Sequence, residues 1–167
     1  MISLDLPSTG TASGEGGRLN MGGAHILIVD DDGFFRTSIA DALSGLGYRL
    51  SFAEDVPGAL ALLRTEPVDV VVADHVMPGL PGLALLTSMR EHLPEPRRIL
   101  ISGKIDVPLA LAAINQAGVF QLMEKPFDPV AIRLAICCAV DDLERERGER
   151  RVASPGPTSP GRSPAEA

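Results

Sequence analysis

The chain has 167 residues and a formal net charge of −7, which fits one domain and disfavours direct nucleic-acid binding, because phosphate contacts need a basic face. Hydrophobic residues make up 45% of it, too many for a globally disordered chain, yet no apolar run approaches the roughly 18 residues of a membrane span. Cys137 and Cys138 are adjacent, so they cannot staple a loop, and no metal-ligand spacing surrounds them.

Residues 1–23 are rich in Gly, Ser and Thr and read as a disordered leader. They hold no basic segment followed by an apolar one, so they are not a secretory signal, and the expected location is the cytoplasm. His25–Val29 is a short apolar run of the kind that forms a buried parallel strand. Phe35, Ile39, Leu43 and Leu46 then recur at helical spacing, with Gly47 as the stop. Residues 48–52 form a weaker strand, suited to an edge. Residues 55–64 read as a helix with Pro57 in the first turn and Val56, Leu60 and Leu63 inward. Residues 68–73 are a second buried strand, 78–82 a loop, 83–92 a helix and 98–101 a third buried strand. Asp106 caps a helix with Pro108 in its first turn, ending near Gly118. Residues 119–123 are the last strand. Asp128 and Pro129 open a helix to about Arg147, with Ile132, Ile136, Ala139, Val140 and Leu143 on one face. Its mixed-charge end, Glu144 to Arg147, reads as solvated. Residues 148–167, with Pro155, Pro157, Pro160 and Pro164 among Ser, Gly and Ala, read as a flexible tail.

The folded part is therefore expected over 24–147, as a doubly wound α/β domain. Its (βα)5 alternation predicts a five-stranded parallel sheet with helices on both faces. The flavodoxin-like order 2-1-3-4-5 is a common solution, with ligands at the carboxyl ends of the strands. Polar residues with chemical potential sit at those ends. Asp30, Asp31 and Asp32 follow the first strand, Asp74 the third and Ser102 the fourth, and Lys125 and Pro126 follow the fifth. Two carboxylates about 4 Å apart repel by roughly 4 kcal/mol at an effective dielectric of about 20. A hard divalent cation and the Lys125 ammonium would offset that cost. Magnesium keeps waters and accepts phosphate oxygens, so the rim suits phosphoryl transfer to a carboxylate.

The segments ILIVDDDGFFR, VVVADHVMPGLPG, ILISGK and MEKPF resemble the four signatures of response-regulator receiver domains, over about Ala24 to Arg147. The resemblance implies Asp74 as phosphoacceptor, with Ser102 and Lys125 acting on the phosphoryl group. It implies magnesium held by Asp31 directly, by Asp30 largely through water, by Asp74 and by the backbone carbonyl of Val76. It also implies a cis Lys125–Pro126 bond, and a small Gly103 that leaves the phosphoryl group accessible. The expected protein is a stand-alone receiver in two-component signalling. Its phosphodonor would be a histidine kinase or histidine phosphotransfer protein, and its output a protein-binding surface near Leu109, Ile114 and the last helix. One position departs from the family: three residues before the lysine, where an aromatic residue or His is usual, stands Leu122. Phe120, two residues earlier, is a candidate replacement; its alternative role is core packing.

Two other functions compete. Asp30, Asp32, Gly33, Ser102, Lys125 and the pair Asp141–Asp142 fall in the order of haloacid-dehalogenase-like phosphatases, although that pair sits in a helical pattern. A degenerate receiver that only binds partners is the other. Asp32, Asp106 and Asp128 read as helix caps. Alternation points His75 away from Asp74, and His25 and His92 read as structural or surface residues.

Overall fold

The computed structural model describes residues 23–153. Five strands, β1 (His25–Val29), β2 (Arg49–Ala53), β3 (Val70–Asp74), β4 (Arg97–Ser102) and β5 (Gln121–Glu124), form one parallel sheet in the order β2-β1-β3-β4-β5. The helices α1 (Gly33–Ala42), α2 (Val56–Thr65), α3 (Gly82–His92), α4 (Val107–Ala112) and α5 (Pro129–Ala153) follow the strands in turn. This is the architecture expected from the alternation of short apolar runs and helical patterns.

Strand alternation splits the core into two layers. Leu27, Val29, Val71, Ala73 and Leu100 face one way, against Leu60 and Leu63 of α2 and Leu85, Leu86 and Met89 of α3. Ile26, Ile28, Val70, Val72, Ile99 and Ile101 face the other way, against Ile39 of α1 and Ile132, Ile136 and Val140 of α5. Both faces of β1, β3 and β4 are therefore covered, which is why their sequences are apolar without alternation. The edge strand β2 is largely half-buried or exposed.

Asp32, Asp55 and Asp106 each accept backbone N–H bonds at the start of α1, α2 and α4, and Asp128 accepts from Val130 N at 2.7 Å. Capping satisfies donors that helix starts leave without a partner.

Two helix ends lie several residues from expectation, and a third, at Gly118, is reached as expected but through a different turn. Helix α1 stops at Ala42 rather than near Leu46, because Gly45 and Gly47 take φ values of 78° and 75°, a left-handed turn that glycine adopts without strain. Helix α4 is short and passes into a π-helical turn at Ala113–Ala117, closed by Gly118 at φ 55°. Arg90 donates to the Asn115 carbonyl, and Arg98 to the Ala117 carbonyl at 3.0 Å, so two guanidinium groups hold this end. Helix α5 continues to Ala153, so the expected tail is corrected over 148–153. Its last turns are not simply solvated: Arg97 of β4 binds Asp142 at 2.7 Å and also Glu146, Arg147 binds Asp69 at 2.6 Å, and Arg150 binds Glu95 at 3.1 Å. The rest of the expected tail, 154–167, and the leader up to residue 22 lie outside the described residues.

Candidate functional site

The carboxyl ends of β1, β3, β4 and β5 meet on one rim of the sheet. Asp30 follows β1 with 2% of its surface exposed, Asp74 ends β3 with 5%, and Ser102 ends β4 with 1%. Lys125 follows β5, and its Nζ lies 2.9 Å from Asp30 Oδ2 and 3.0 Å from Asp74 Oδ1. The second oxygen of each carboxylate is held by backbone: Asp32 N donates to Asp30 Oδ1 at 2.8 Å, and Val76 N to Asp74 Oδ2 at 3.1 Å. Asp31 is exposed beside them. Oxygen atoms of Asp30, Asp31 and Asp74 lie within 4.8 Å of one another.

Burial and charge oppose each other here. Burial pushes the Asp74 carboxyl above its ordinary value; the Lys125 hydrogen bond and charge pull it back, and the Asp30 charge adds to the rise. For Lys125, burial works against the ammonium, but hydrogen bonds and charge from Asp30 and Asp74 outweigh it and raise its pKa. One ammonium against three carboxylates leaves excess negative charge on hard oxygen donors. That donor set fits a small hard divalent cation such as magnesium.

Ser102 reaches the rim, but its hydroxyl donates to the Lys104 carbonyl at 2.7 Å, within its own loop. The Lys125–Pro126 bond is cis, as expected. The side chain of Val76 is exposed and its N–H is turned onto Asp74. Phe120 is neither core nor part of β5: it is 38% exposed and lies outside both core layers. Leu122 packs against the α2–α3 layer. Asp141 and Asp142 do not join the rim. They lie in α5, and Asp142 binds Arg97 at the amino end of β4, the opposite end of the sheet. This removes the acidic pair that a haloacid-dehalogenase-like site needs. His75 is half-buried, and its Nδ1 has no hydrogen-bond partner.

Four residues at the rim escaped sequence reasoning. Lys125 Nζ sits 3.9 Å from the centre of the Phe35 ring, a cation–π contact, and Phe127 meets that ring edge-on at 5.6 Å. Arg36 donates to the Asp30 carbonyl. A Cβ at Gly82 would lie 2.1 Å from the Asp74 carbonyl oxygen, so α3 starts against β3 only because residue 82 is glycine. The Pro81–Gly82 pair before a helical pattern was the one local signal for this.

Residues 26–137 match the model of the response regulator receiver domain. The chain belongs to the response-regulator receiver family. This receiver is 33% identical over 138 residues to the hydrogenase transcriptional regulatory protein HoxA of Cupriavidus necator, covering 79% of the chain and 28% of HoxA. It is 31% identical over 134 residues to the DNA-binding transcriptional regulator NtrC of Salmonella typhimurium, covering 80% of the chain and 28% of NtrC. It thus spans less than a third of these two relatives. Among solved structures, it is similar to the signal receiver domain of an HD domain-containing protein from Pseudomonas fluorescens, with TM-score 0.70 and 32% identity, over 73% of this chain and 98% of that one. The receiver's Asp30, Asp31 and Asp74 are placed as in magnesium-binding receiver sites, the arrangement that supports phosphoacceptor function in two-component signalling. Its relatives thus include transcriptional regulators. Among the described residues, no helix is long and apolar enough to cross a membrane.

Proposed function

We propose that Asp74 takes a phosphoryl group from a phosphohistidine of a histidine kinase or histidine phosphotransfer protein in the cytoplasm. The observation that carries this reading is the single ammonium of Lys125 bridging Asp30 and Asp74 at 2.9 and 3.0 Å. A carboxylate in that position is pre-oriented and already has its counter-charge. An oxygen of Asp74 forms the new O–P bond as the N–P bond of the donor breaks, and the electron pair of that bond stays on the imidazole nitrogen. Lys125, beside Asp74 Oδ1, then faces the added negative charge. Ser102 exchanges its Lys104 carbonyl for a phosphoryl oxygen, turning about its χ1 bond. Asp30, Asp31, Asp74 and the Val76 carbonyl would hold magnesium, which when bound balances charge on the phosphoryl oxygens.

The output follows from the loop that Ser102 shares with α4. Leu109 is buried, whereas Val107, Leu111 and Ile114 stand exposed on the α4 segment. Their exposure supports a protein-binding surface formed by those three residues and α5, with Leu109 as their support. Leu122 replaces the usual aromatic readout, so the signal passes through the Ser102–Lys104 loop.

The test is incubation with magnesium and a small acyl phosphate, followed by intact mass. One labile phosphoryl adduct is expected, absent from Asp74→Asn and from a magnesium-free sample. An adduct that persists in Asp74→Asn would refute the assignment.

A further inference from the structure

Arg36 lies one turn into α1, its side chain only 16% exposed. Its guanidinium spans two strand ends. Nη1 donates to the backbone carbonyl of Asp30 at 2.5 Å, and Nη2 to Glu54 Oε1 at 2.8 Å, just past β2. The Asp30 amide is held from the same side, donating to the Ala53 carbonyl at 3.1 Å. The peptide that Arg36 grips joins Asp30 to Asp31. Asp31 is exposed, and no hydrogen bond from another described residue fixes its carboxylate. The plane of that peptide fixes the backbone from which the Asp31 side chain leaves.

We propose that Arg36 is a positioning residue for the metal site: its forked grip on the Asp30 carbonyl, braced by Glu54, aims Asp31 at the space it shares with Asp30 and Asp74. This rests on the reading of those three aspartates as magnesium ligands. Charge alone makes the opposite demand. A guanidinium beside a cation site repels the cation, so a merely electrostatic Arg36 weakens metal binding and its removal strengthens it. A lysine in its place keeps the charge and loses the fork that reaches both partners. The sign of the effect therefore separates the two roles.

The experiment measures divalent binding to the full chain, by calorimetry with magnesium and by the free-ion resonance signal with manganese, at one ionic strength. Circular dichroism checks that each variant is folded. Arg36→Ala is expected to bind about tenfold more weakly, the size typical for residues that orient metal ligands, and Arg36→Lys several-fold more weakly. In metal-free protein, the backbone amide resonance of Asp31 should move in both variants. Arg36→Lys keeps the charge and stays informative if Arg36→Ala fails to fold. Affinity in Arg36→Lys equal to the wild type, or tighter binding in Arg36→Ala, would overturn the proposal. A wild-type chain that binds neither ion would overturn the magnesium reading itself, and this inference with it.

Discussion

Replacing Asp74 by Asn should make the metal-free protein more stable while abolishing its acceptor. At an effective dielectric of about 20, the ammonium of Lys125 at 3.0 Å attracts the Asp74 carboxylate by about 5.5 kcal/mol. Asp30 and Asp31, whose oxygens lie within 4.8 Å, each repel it by about 3.5 kcal/mol before solvent weakens the share of exposed Asp31. Attraction and repulsion thus nearly cancel, and the cost of burying the charge remains. Asn keeps the shape and an acceptor oxygen without the charge. A gain of about 1–2 kcal/mol is expected, which is about 3–8 °C in Tm for a domain of this size. Thermal unfolding followed by circular dichroism at pH 7 with a chelator measures it. The pH dependence has a definite sign. Burial raises the folded-state value for Asp74, so ionisation of this group costs stability above that value. The advantage of Asn should shrink as pH falls toward the unfolded carboxylate value of about 3.9. Magnesium should act the other way, stabilising the wild type by about 2.7 kcal/mol at a hundredfold excess over Kd and the variant by less. A metal-free Asp74→Asn protein less stable than wild type at pH 7 would refute this charge balance.

Gly82→Ala places a methyl group against the Asp74 carbonyl; it should cost about 1–3 kcal/mol and slow phosphorylation, and an unchanged Tm and rate would refute the close contact. Asp32→Ala removes the acceptor for Phe34 N and Phe35 N and should cost about 1 kcal/mol in urea unfolding while phosphorylation proceeds. Arg97→Ala removes two ion pairs from α5; hydrogen exchange should rise over residues 144–153, leaving the acid cluster and its metal affinity unchanged.

The sheet was legible because β1, β3 and β4 are covered on both faces and so appear as unbroken apolar runs. The acidic rim was legible because Asp30, Asp31, Asp74 and Ser102 sit at the ends of those runs and Lys125 follows the fifth strand. The strand order places them together without any further information. Arg36 and Phe35 were not legible as rim residues. Their partners Glu54 and Lys125 are far along the chain, and nothing local distinguishes an arginine that reaches a carbonyl from one that faces water. The same holds for the end of α5: Arg147 meets Asp69 and Arg97 meets Glu146 across 78 and 49 residues, so a composition typical of a solvated helix end conceals a tie to the sheet. The π-helical turn at 113–117 depends on Arg90 and Arg98 from other elements. Phe120, read either as a replacement for the missing aromatic or as core, proved exposed and outside both core layers.

The sheet carries ionic groups at both ends, but in different surroundings. At the carboxyl end Asp30 and Asp74 are buried among the strands; at the amino end Arg145 and Arg150 reach acids across open surface. The screening length shrinks from about 8 Å in physiological salt to about 3 Å at 1 M, and it acts only where solvent penetrates. Ionic strength is therefore a selective reagent for this molecule: raising it should unfasten the final turns of α5 from Glu95, while the charge balance around Lys125 remains nearly as it was in dilute buffer.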